Sequence, residues 1–130
     1  MKGLGRIWTG IALVLLAGCA FTVAQPEAPP ALETFTGSAS YYADRFEGRR
    51  TASGIRFRQD ELWAAHRTLP FGTRLRVTNL ANGKQVEVEV VDRGPFVRGR
   101  VLDLSRAAAR KLGYIRAGHT RVRVEVIERP

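Results

Sequence analysis

The sequence predicts a mainly β domain, a compact β-barrel that carries one or two short helices. Hydrophobic and polar residues alternate in three segments, 73–79, 84–91 and 119–127, with the two-residue period that is typical of half-buried strands. Helix start and stop signals occur together at only one place, residues 106–112. Short strands with so little helix favour a closed β structure over a parallel α/β sheet.

The elements before the first alternating segment are shorter. Residues 34–42 are rich in Thr and aromatic side chains, which predicts a strand. Residues 48–54 contain two Gly and predict a loop, and residues 68–72 (T-L-P-F-G) predict a turn. Between them, residues 62–66 form a short apolar piece that ends in the imidazole of His66.

The pair Asn82-Gly83 predicts a β-hairpin between two of the alternating segments. If these two residues alone form the turn, Arg76 on one strand faces Glu89 on the other. Opposite charges directly across an antiparallel pair stabilise it by a few tenths of a kcal/mol up to roughly 1 kcal/mol. We therefore interpret Glu87 and Glu89 as structural and leave them outside the active site.

Two residues define the ends of the helix at 106–112. Ser105 is a favoured N-cap residue, and Gly113 stands where a helix usually stops. The last strand, 119–127, follows with its valines on one face and charged side chains on the other.

The first 18 residues have the layout of a secretory signal. Lys2 and Arg6 precede an apolar run that ends in L-A-G-C at residues 16–19, too short to span a membrane comfortably. The small residues before Cys19 resemble the lipobox of bacterial lipoproteins. That resemblance implies cleavage before Cys19 and its lipidation. The alternative is a buried thiol in an uncleaved apolar helix.

The predicted organisation is a signal at residues 1–18, a Pro-rich tether at 19–33 and a folded domain at 34–128. The lone cysteine excludes an intrachain disulfide. Since no Asp follows Cys19, the sorting pattern that the lipobox implies favours the periplasmic face of the outer membrane. Stable attachment there needs two or more acyl chains.

The charge of the chain favours anionic partners. The net charge is +9, and removal of residues 1–18 leaves 19 basic and 12 acidic residues, a net charge of +7. Nucleic acid is excluded as a partner by export, by the absence of a run of five basic residues and by aromatics that do not lie among the arginines. We expect no cofactor and no metal, because His66 and His119 lack ligand-like spacing. We also expect a monomer.

The candidate site is the stretch 92–105, D-R-G-P-F-V-R-G-R-V-L-D-L-S. Asp92 and Asp103 bracket a loop of Gly, Pro and Arg just after an alternating strand. A carboxylate held in such a loop can serve as an acid, a base or a ligand anchor. The alternatives are a turn in which Asp caps its own backbone, a pair between Asp92 and Arg93, and burial of Asp103 against backbone amides.

Several motifs together resemble one family. They are G-S-A-S-Y-Y at 37–42, A-A-H-R-T-L-P-F-G at 64–72, V-T-N-L at 77–80, D-R-G-P-F at 92–96 and L-D-L-S at 102–105. In this order they are similar to the RlpA (rare lipoprotein A) family of envelope lipoproteins. The resemblance covers about residues 36–127. It implies a six-stranded double-psi β-barrel. Many members add a C-terminal SPOR domain, which we do not expect from these 130 residues.

The resemblance also implies an activity, endolytic transglycosylation of peptidoglycan. The bond cleaved lies between N-acetylmuramic acid and N-acetylglucosamine, in some members on strands stripped of stem peptides. One carboxyl group can protonate the glycosidic oxygen and then accept the proton of the 6-hydroxyl as a 1,6-anhydro ring closes. By this resemblance, Asp92 matches one of the family's proposed catalytic acids. Asp103 matches the L-D-L-S aspartate, whose counterpart in related double-psi barrels is the proposed proton donor.

Five further residues are candidates by their motifs. His66 either positions substrate and tunes Asp92, or is a satisfied structural residue. Tyr41, Tyr42 and Phe96 could stack on sugar faces or pack in the core and rim. Arg93 is assigned to substrate binding.

One position departs from the family pattern. Ile55 in T-A-S-G-I-R-F-R stands where a proposed catalytic Glu is usual, and isoleucine cannot donate a proton. Two hypotheses follow, a lytic transglycosylase that relies on its two aspartates and an expansin-like module that binds glycan without turnover.

Overall fold

A computed structural model describes residues 30–130 together with Gly3, Gly5, Gly10, Ala12 and Gly18. Cys19, most of the predicted signal and the tether up to residue 29 therefore lie outside the described residues. In the described part of the chain, no helix is long and apolar enough to cross a membrane.

Strands are the main regular structure of the described chain, which also has one α-helix and one 3-10 turn at Asp44–Phe46. The elements, in order, are β1 (Glu33–Tyr41), β2 (Trp63–Ala65), β3 (Arg74–Asn79), β4 (Gln85–Asp92), β5 (Arg100–Leu104), α1 (Arg106–Leu112) and β6 (His119–Glu128).

The six strands close into a barrel in the order β1-β5-β2-β4-β3-β6. The pairs β1–β5 and β2–β4 are parallel, and the other four are antiparallel. This mixed, closed topology is a double-psi β-barrel, so the predicted fold class is confirmed. Closure leaves no strand of the barrel with an unpaired edge.

The barrel interior is filled by the apolar face of each strand. Its fully buried side chains alternate along the strands as the sequence pattern predicts and include Leu75, Val77, Val88, Leu102 and Val124. A second, smaller cluster lies outside the barrel wall, where Tyr42 and Phe57 pack with Ala65. We refer to this group as the outer cluster.

The register predicted for the hairpin was wrong. Arg76 faces Glu87 instead of Glu89, because the turn has four residues, 80–83, and not two. The carbonyl of Asn79 accepts the N–H of Gly83 at 2.7 Å, and Gly83 has the positive φ of 77° that favours glycine. The ion pair of Arg76 is with Glu125 on β6, at 2.8 Å.

The helix ends as predicted. Ser105 Oγ accepts the N–H of Ala108 at 3.3 Å, and Gly113 adopts the left-handed conformation that stops the helix. The prediction of a single loop over residues 92–105 was wrong, because residues 100–104 form strand β5. Asp103 therefore lies within a strand, whereas Asp92 is the last residue of one.

Candidate active site

The two aspartates are brought together by the strand β2. Ala65 pairs with Asp92 of β4 on one side and with Asp103 of β5 on the other. Residues that face each other across adjacent strands point to the same side of a sheet, and each strand spacing is about 4.8 Å. The two carboxylates thus share one face, with Cα atoms about 10 Å apart, or two strand spacings.

A β-bulge places Asp92 on this face. Ala64 pairs with Val90 but Ala65 pairs with Asp92, so Val91 is an extra residue in β4. If side chains alternated strictly along β4, Asp92 would point into the barrel as Val90 does, and Val90 is fully buried. Bulges commonly redirect a side chain beside an active site. Here the bulge moves a carboxylate from the core face to the outer face.

A second irregularity lies on the other parallel pair. Ser38 pairs with Arg100 but Ala39 pairs with Leu102, which leaves Val101 as the extra residue of β5. After this shift, Ser40 pairs with Asp103. We call the line of neighbouring residues from four strands the outer row: Ser40, Asp103, Ala65 and Asp92.

Asp92 is held through both carboxylate oxygens. Its Oδ2 accepts the hydroxyl of Tyr42 at 2.6 Å, and its Oδ1 accepts the backbone N–H of Ala52 at 2.8 Å. The second bond attaches the loop before β2 to the barrel. Asp92 is therefore fixed in orientation, and the alternative of a pair with Arg93 is not what the structure shows, since Arg93 donates to the carbonyls of His66 and Leu69.

Asp103 is held through one oxygen. Its Oδ1 accepts Ser40 Oγ at 2.5 Å and Arg100 Nη2 at 2.7 Å. None of the residues 30–130 donates a hydrogen bond to Oδ2. The side chain is 18% exposed, so Oδ1 fixes the orientation of Asp103 while Oδ2 is left without a donor from these residues.

Tyr42 is buried and bonded to Asp92. It is only 9% exposed and packs against Phe57, with ring centroids 4.2 Å apart. Burial raises the pKa of Tyr42, and the hydrogen bond and charge of Asp92 with the charge of Asp103 raise it further. The hydroxyl therefore stays protonated and remains a donor.

The other aromatic candidates differ in accessibility. Tyr41 is half-buried, donates its hydroxyl to the carbonyl of Ile115 at 2.8 Å and packs edge-on against Tyr114. Phe96 is 78% exposed and follows the cis peptide bond Gly94-Pro95. Of the three aromatic residues assigned to sugar stacking, Phe96 alone offers a free ring face.

His66 is turned away from the outer row. Its Nδ1 accepts the N–H groups of Thr68 and Leu69 at 3.1 and 3.0 Å, and its ring packs against Phe35 at 5.3 Å. Burial lowers the pKa of His66, and the charge of Arg67 lowers it further. A neutral imidazole that accepts two backbone N–H groups stabilises the turn after β2. These contacts are those expected if His66 is a satisfied structural residue.

Arg93 stabilises the same turn. Its Nη1 donates to the carbonyls of Leu69 and His66 at 2.7 and 3.2 Å, and its guanidinium lies 4.0 Å from the ring centroid of Phe71. The Arg93 side chain is therefore bound to other residues of the protein. The structure thus brings Asp92, Asp103 and Tyr42 together and directs His66 and Arg93 to a neighbouring turn.

Ile55 lies at the end of the site nearest Asp92. Its side chain is 41% exposed and lines a cavity of about 300 Å³ together with Ser53, Phe71, Glu89 and Val91. The N–H and Oγ1 of Thr51 both bond to the carbonyl of Ile55. These two bonds tie the backbone of Ile55 to Thr51 within the loop.

Sequence reasoning missed Ser40 and Arg100. Both contact Asp103 directly. Arg100 precedes Asp103 by three residues, and this spacing is a signal for a contact between them. The Gly and Pro residues around Arg100 instead predict a loop. Ser40 belongs to the G-S-A-S-Y-Y motif, and only the pairing of β1 with β5 reveals its partner.

The closed barrel and its outer row define a double-psi β-barrel protein with two carboxylates on one outer face. A family profile described as lytic transglycolase matches residues 34–124. The chain therefore belongs to the RlpA family of lytic transglycolases.

Two curated relatives are the probable endolytic peptidoglycan transglycosylases RlpA of Aquifex aeolicus and of a Nostoc species. The first is 68% identical over 82 residues, which is 63% of this chain and 36% of the relative. The second is 57% identical over 98 residues, which is 74% of this chain and 26% of the relative. The chain thus spans about a third of the length of the curated relatives it matches.

A solved structure with a similar fold is a point mutant of the Clavibacter michiganensis expansin in complex with cellohexaose. It is 27% identical, with a TM-score of 0.59, and the match covers 75% of this chain and 52% of the expansin. The double-psi fold of this chain is thus shared with a protein whose structure contains a bound glycan.

Proposed function

We propose that the protein is an endolytic lytic transglycosylase that cleaves peptidoglycan glycan strands between N-acetylmuramic acid and N-acetylglucosamine. The observation that carries this proposal is the placement of Asp92 and Asp103 on either side of Ala65 on one outer face. The names of the curated relatives support the same reaction and substrate.

In the proposed mechanism Asp103 is the acid and then the base. Its Oδ2 protonates the glycosidic oxygen as the bond to the muramyl C1 breaks through an oxocarbenium-like state. The muramyl 6-hydroxyl then attacks C1 and returns a proton to Asp103, which closes the 1,6-anhydro ring. No water is consumed, so no second carboxylate is needed to activate one.

Asp92 has a supporting role in this mechanism. A carboxylate about two strand spacings from Asp103 can stabilise the positive charge that develops at C1. The bonds from Tyr42 and Ala52 hold it in a fixed orientation, and a group that needs no reorientation stabilises charge more effectively. Phe96 is proposed to contact the face of a sugar ring beside the outer row.

The alternative is a glycan-binding module without turnover, favoured by Ile55 at the position of the usual Glu. Incubation of the purified protein with peptide-stripped sacculi, followed by mass spectrometry, distinguishes the two. We expect 1,6-anhydro-muramyl ends. Pelleting of the protein with sacculi without such ends would establish the binding module instead.

The roles of the two aspartates are tested in the same assay. Asp103→Asn should abolish the anhydro product, and Asp92→Asn should reduce it by about 100-fold, as expected for the loss of a preorganised charge. Undiminished product from both variants would remove the assignment.

We also propose that the protein is a lipoprotein, with a signal at residues 1–18, a lipidated Cys19 and a tether to the barrel, on the periplasmic face of the outer membrane. The motif L-A-G-C at residues 16–19 supports this. Metabolic labelling with palmitate and membrane fractionation test it. Cys19→Ala should lose both the label and the membrane fraction, and a labelled Cys19→Ala protein would contradict it.

A further inference from the structure

A basic groove adjoins the outer row on the side of β6. It is a cavity of about 580 Å³ whose lining contains no acidic residue. The residues that line it are Ser38, Ser40, Arg98, Gly99, Arg100, Gly118, His119 and Arg121.

The strand register fixes the arrangement of these side chains. Ser38 on β1 pairs with Arg100 on β5 and with Arg121 on β6. Paired residues point to the same side of a sheet, so two guanidinium groups flank one small hydroxyl side chain. Arg98, from the loop before β5, completes the basic wall.

The groove is continuous with the proposed catalytic residues. Ser40 pairs with Asp103 on one side and with His119 on the other. His119, an exposed residue with no place in the mechanism, therefore extends the outer row onto a fifth strand. A strand of glycan that passes over Asp103 can reach the groove within about two strand spacings, roughly 10 Å.

Within the described residues, the positive charges of Arg98 and Arg121 are not neutralised by the protein, whereas Arg100 pairs with Asp103. Within residues 30–130, neither Arg98 nor Arg121 has an ion-pair partner. The Nε of Arg100 is buried and, in the same part of the chain, has no hydrogen-bond partner, although Nη2 contacts Asp103. Arg98 and Arg121 therefore leave the groove with a positive charge that an anionic ligand can neutralise.

We propose that this groove is a subsite for a carboxylate of the glycan strand, bound next to the residues that cleave it. The inference rests on the proposed function for its substrate. Guanidinium groups bind carboxylates through paired, charge-assisted hydrogen bonds. A muramyl unit supplies a carboxylate in one of two ways, from its own lactyl group when no peptide is attached, or from the stem peptide when one is.

The test is a binding measurement with three ligands. These are peptide-stripped glycan, the same glycan with its carboxyl groups reduced to alcohols, and intact sacculi. The double variant R98Q/R121Q is compared with R110Q/R129Q, which removes the same charge from exposed arginines elsewhere. Circular dichroism melting checks that both are folded.

We expect R98Q/R121Q to bind a carboxylate-bearing ligand about 10-fold more weakly or worse, and to bind the reduced glycan like the wild type. A loss confined to stripped glycan assigns the lactyl carboxylate, and a loss confined to intact sacculi assigns the stem peptide. Equal losses in the two double variants, or no loss in either, would overturn the subsite.

Formation of 1,6-anhydro ends, followed in parallel, separates this inference from the proposed function. Carboxylate-dependent binding without anhydro ends would retain the subsite and reject the transglycosylase. Anhydro ends from the wild type, together with normal binding of all three ligands by R98Q/R121Q, would retain the transglycosylase and reject the subsite.

Discussion

At the scale of single residues, the site depends on how each carboxylate is held. Asp92 has a donor on each oxygen, whereas Asp103 has both of its donors on one oxygen. In the proposed mechanism, this difference makes Asp92 a fixed charge and leaves Asp103 with one oxygen for proton transfer. Tyr42 is the buried side chain that fixes Asp92, so it is the residue at which orientation can be tested without removing a carboxylate.

We expect Tyr42→Phe to lower the rate of anhydro-end formation by about 10-fold or more, because a displaced charge stabilises the transition state poorly. The protein should stay folded and lose about 1–2 kcal/mol of unfolding free energy. Pelleting with sacculi should be unchanged.

Tyr41→Phe is the matched control for this change. It removes a hydroxyl that bonds to the carbonyl of Ile115 and not to a carboxylate, so it should cost stability without a change in rate. Equal rates for the two variants would show that the bond to Asp92 does not matter for turnover.

His66 provides a pH-dependent prediction. Its folded pKa lies below the ordinary value because of burial, so below about pH 6.5 the unfolded chain binds more protons than the folded one. The stability that comes from neutral His66 is thus fully present above that pH and is lost as the pH falls further. The melting temperature of the wild type should decrease between about pH 7 and pH 5.5.

His66→Asn should flatten this dependence, since an amide oxygen can accept the N–H groups of Thr68 and Leu69 and does not titrate over this range. His119→Gln removes the exposed imidazole and should leave the wild-type slope. The same slope in both variants would contradict the role assigned to His66.

At the scale of elements, the two parallel strand pairs build the site through one bulge each. Val91 and Val101 are the extra residues, and the aspartates follow them by one and two positions. Gly37 makes the second of these arrangements possible. A Cβ at Gly37 would overlap both methyl carbons of Val101, well inside van der Waals contact.

We therefore expect Gly37→Ala to lower the unfolding free energy by about 1–3 kcal/mol through overpacking. Val101→Ala in the same chain should recover part of the loss, since it removes the methyl groups that clash. Chemical denaturation of the four members of this double-mutant cycle measures the coupling. Strictly additive losses would mean that the contact does not set the packing of β1 on β5.

The elements also show what sequence could predict. The strands at 73–79 and 119–127 and the helix after Ser105 follow from local alternation and caps, and they were confirmed. The hairpin register was wrong because the turn has four residues, 80–83, instead of two. The outer row depends on bulges, which arise from the pairing of distant strands, so no local pattern indicated that Asp92 and Asp103 would share a face.

At the scale of the whole molecule, the barrel presents a row of residues from five strands, with carboxylates at one end and a basic groove at the other. In the proposed reaction, the glycan strand would meet negative charge where positive charge develops, and positive charge where the polymer carries carboxylates. Ile55 stands beyond Asp92, in a cavity that already contains Glu89. The proposed mechanism therefore depends on whether Asp92 and Asp103 suffice for turnover without a third carboxylate.

The variant Ile55→Glu tests whether two carboxylates suffice. If Asp103 and Asp92 carry the chemistry, a third carboxylate beside them should change the rate of anhydro-end formation by no more than about 3-fold, since the acid, the base and the stabilising charge are already present. Ile55→Gln, of similar size but uncharged, controls for the loss of apolar contact. A gain of about 10-fold or more with Glu but not with Gln would mean that the wild-type barrel lacks a group the reaction needs. The binding module would then be the better description of the natural chain.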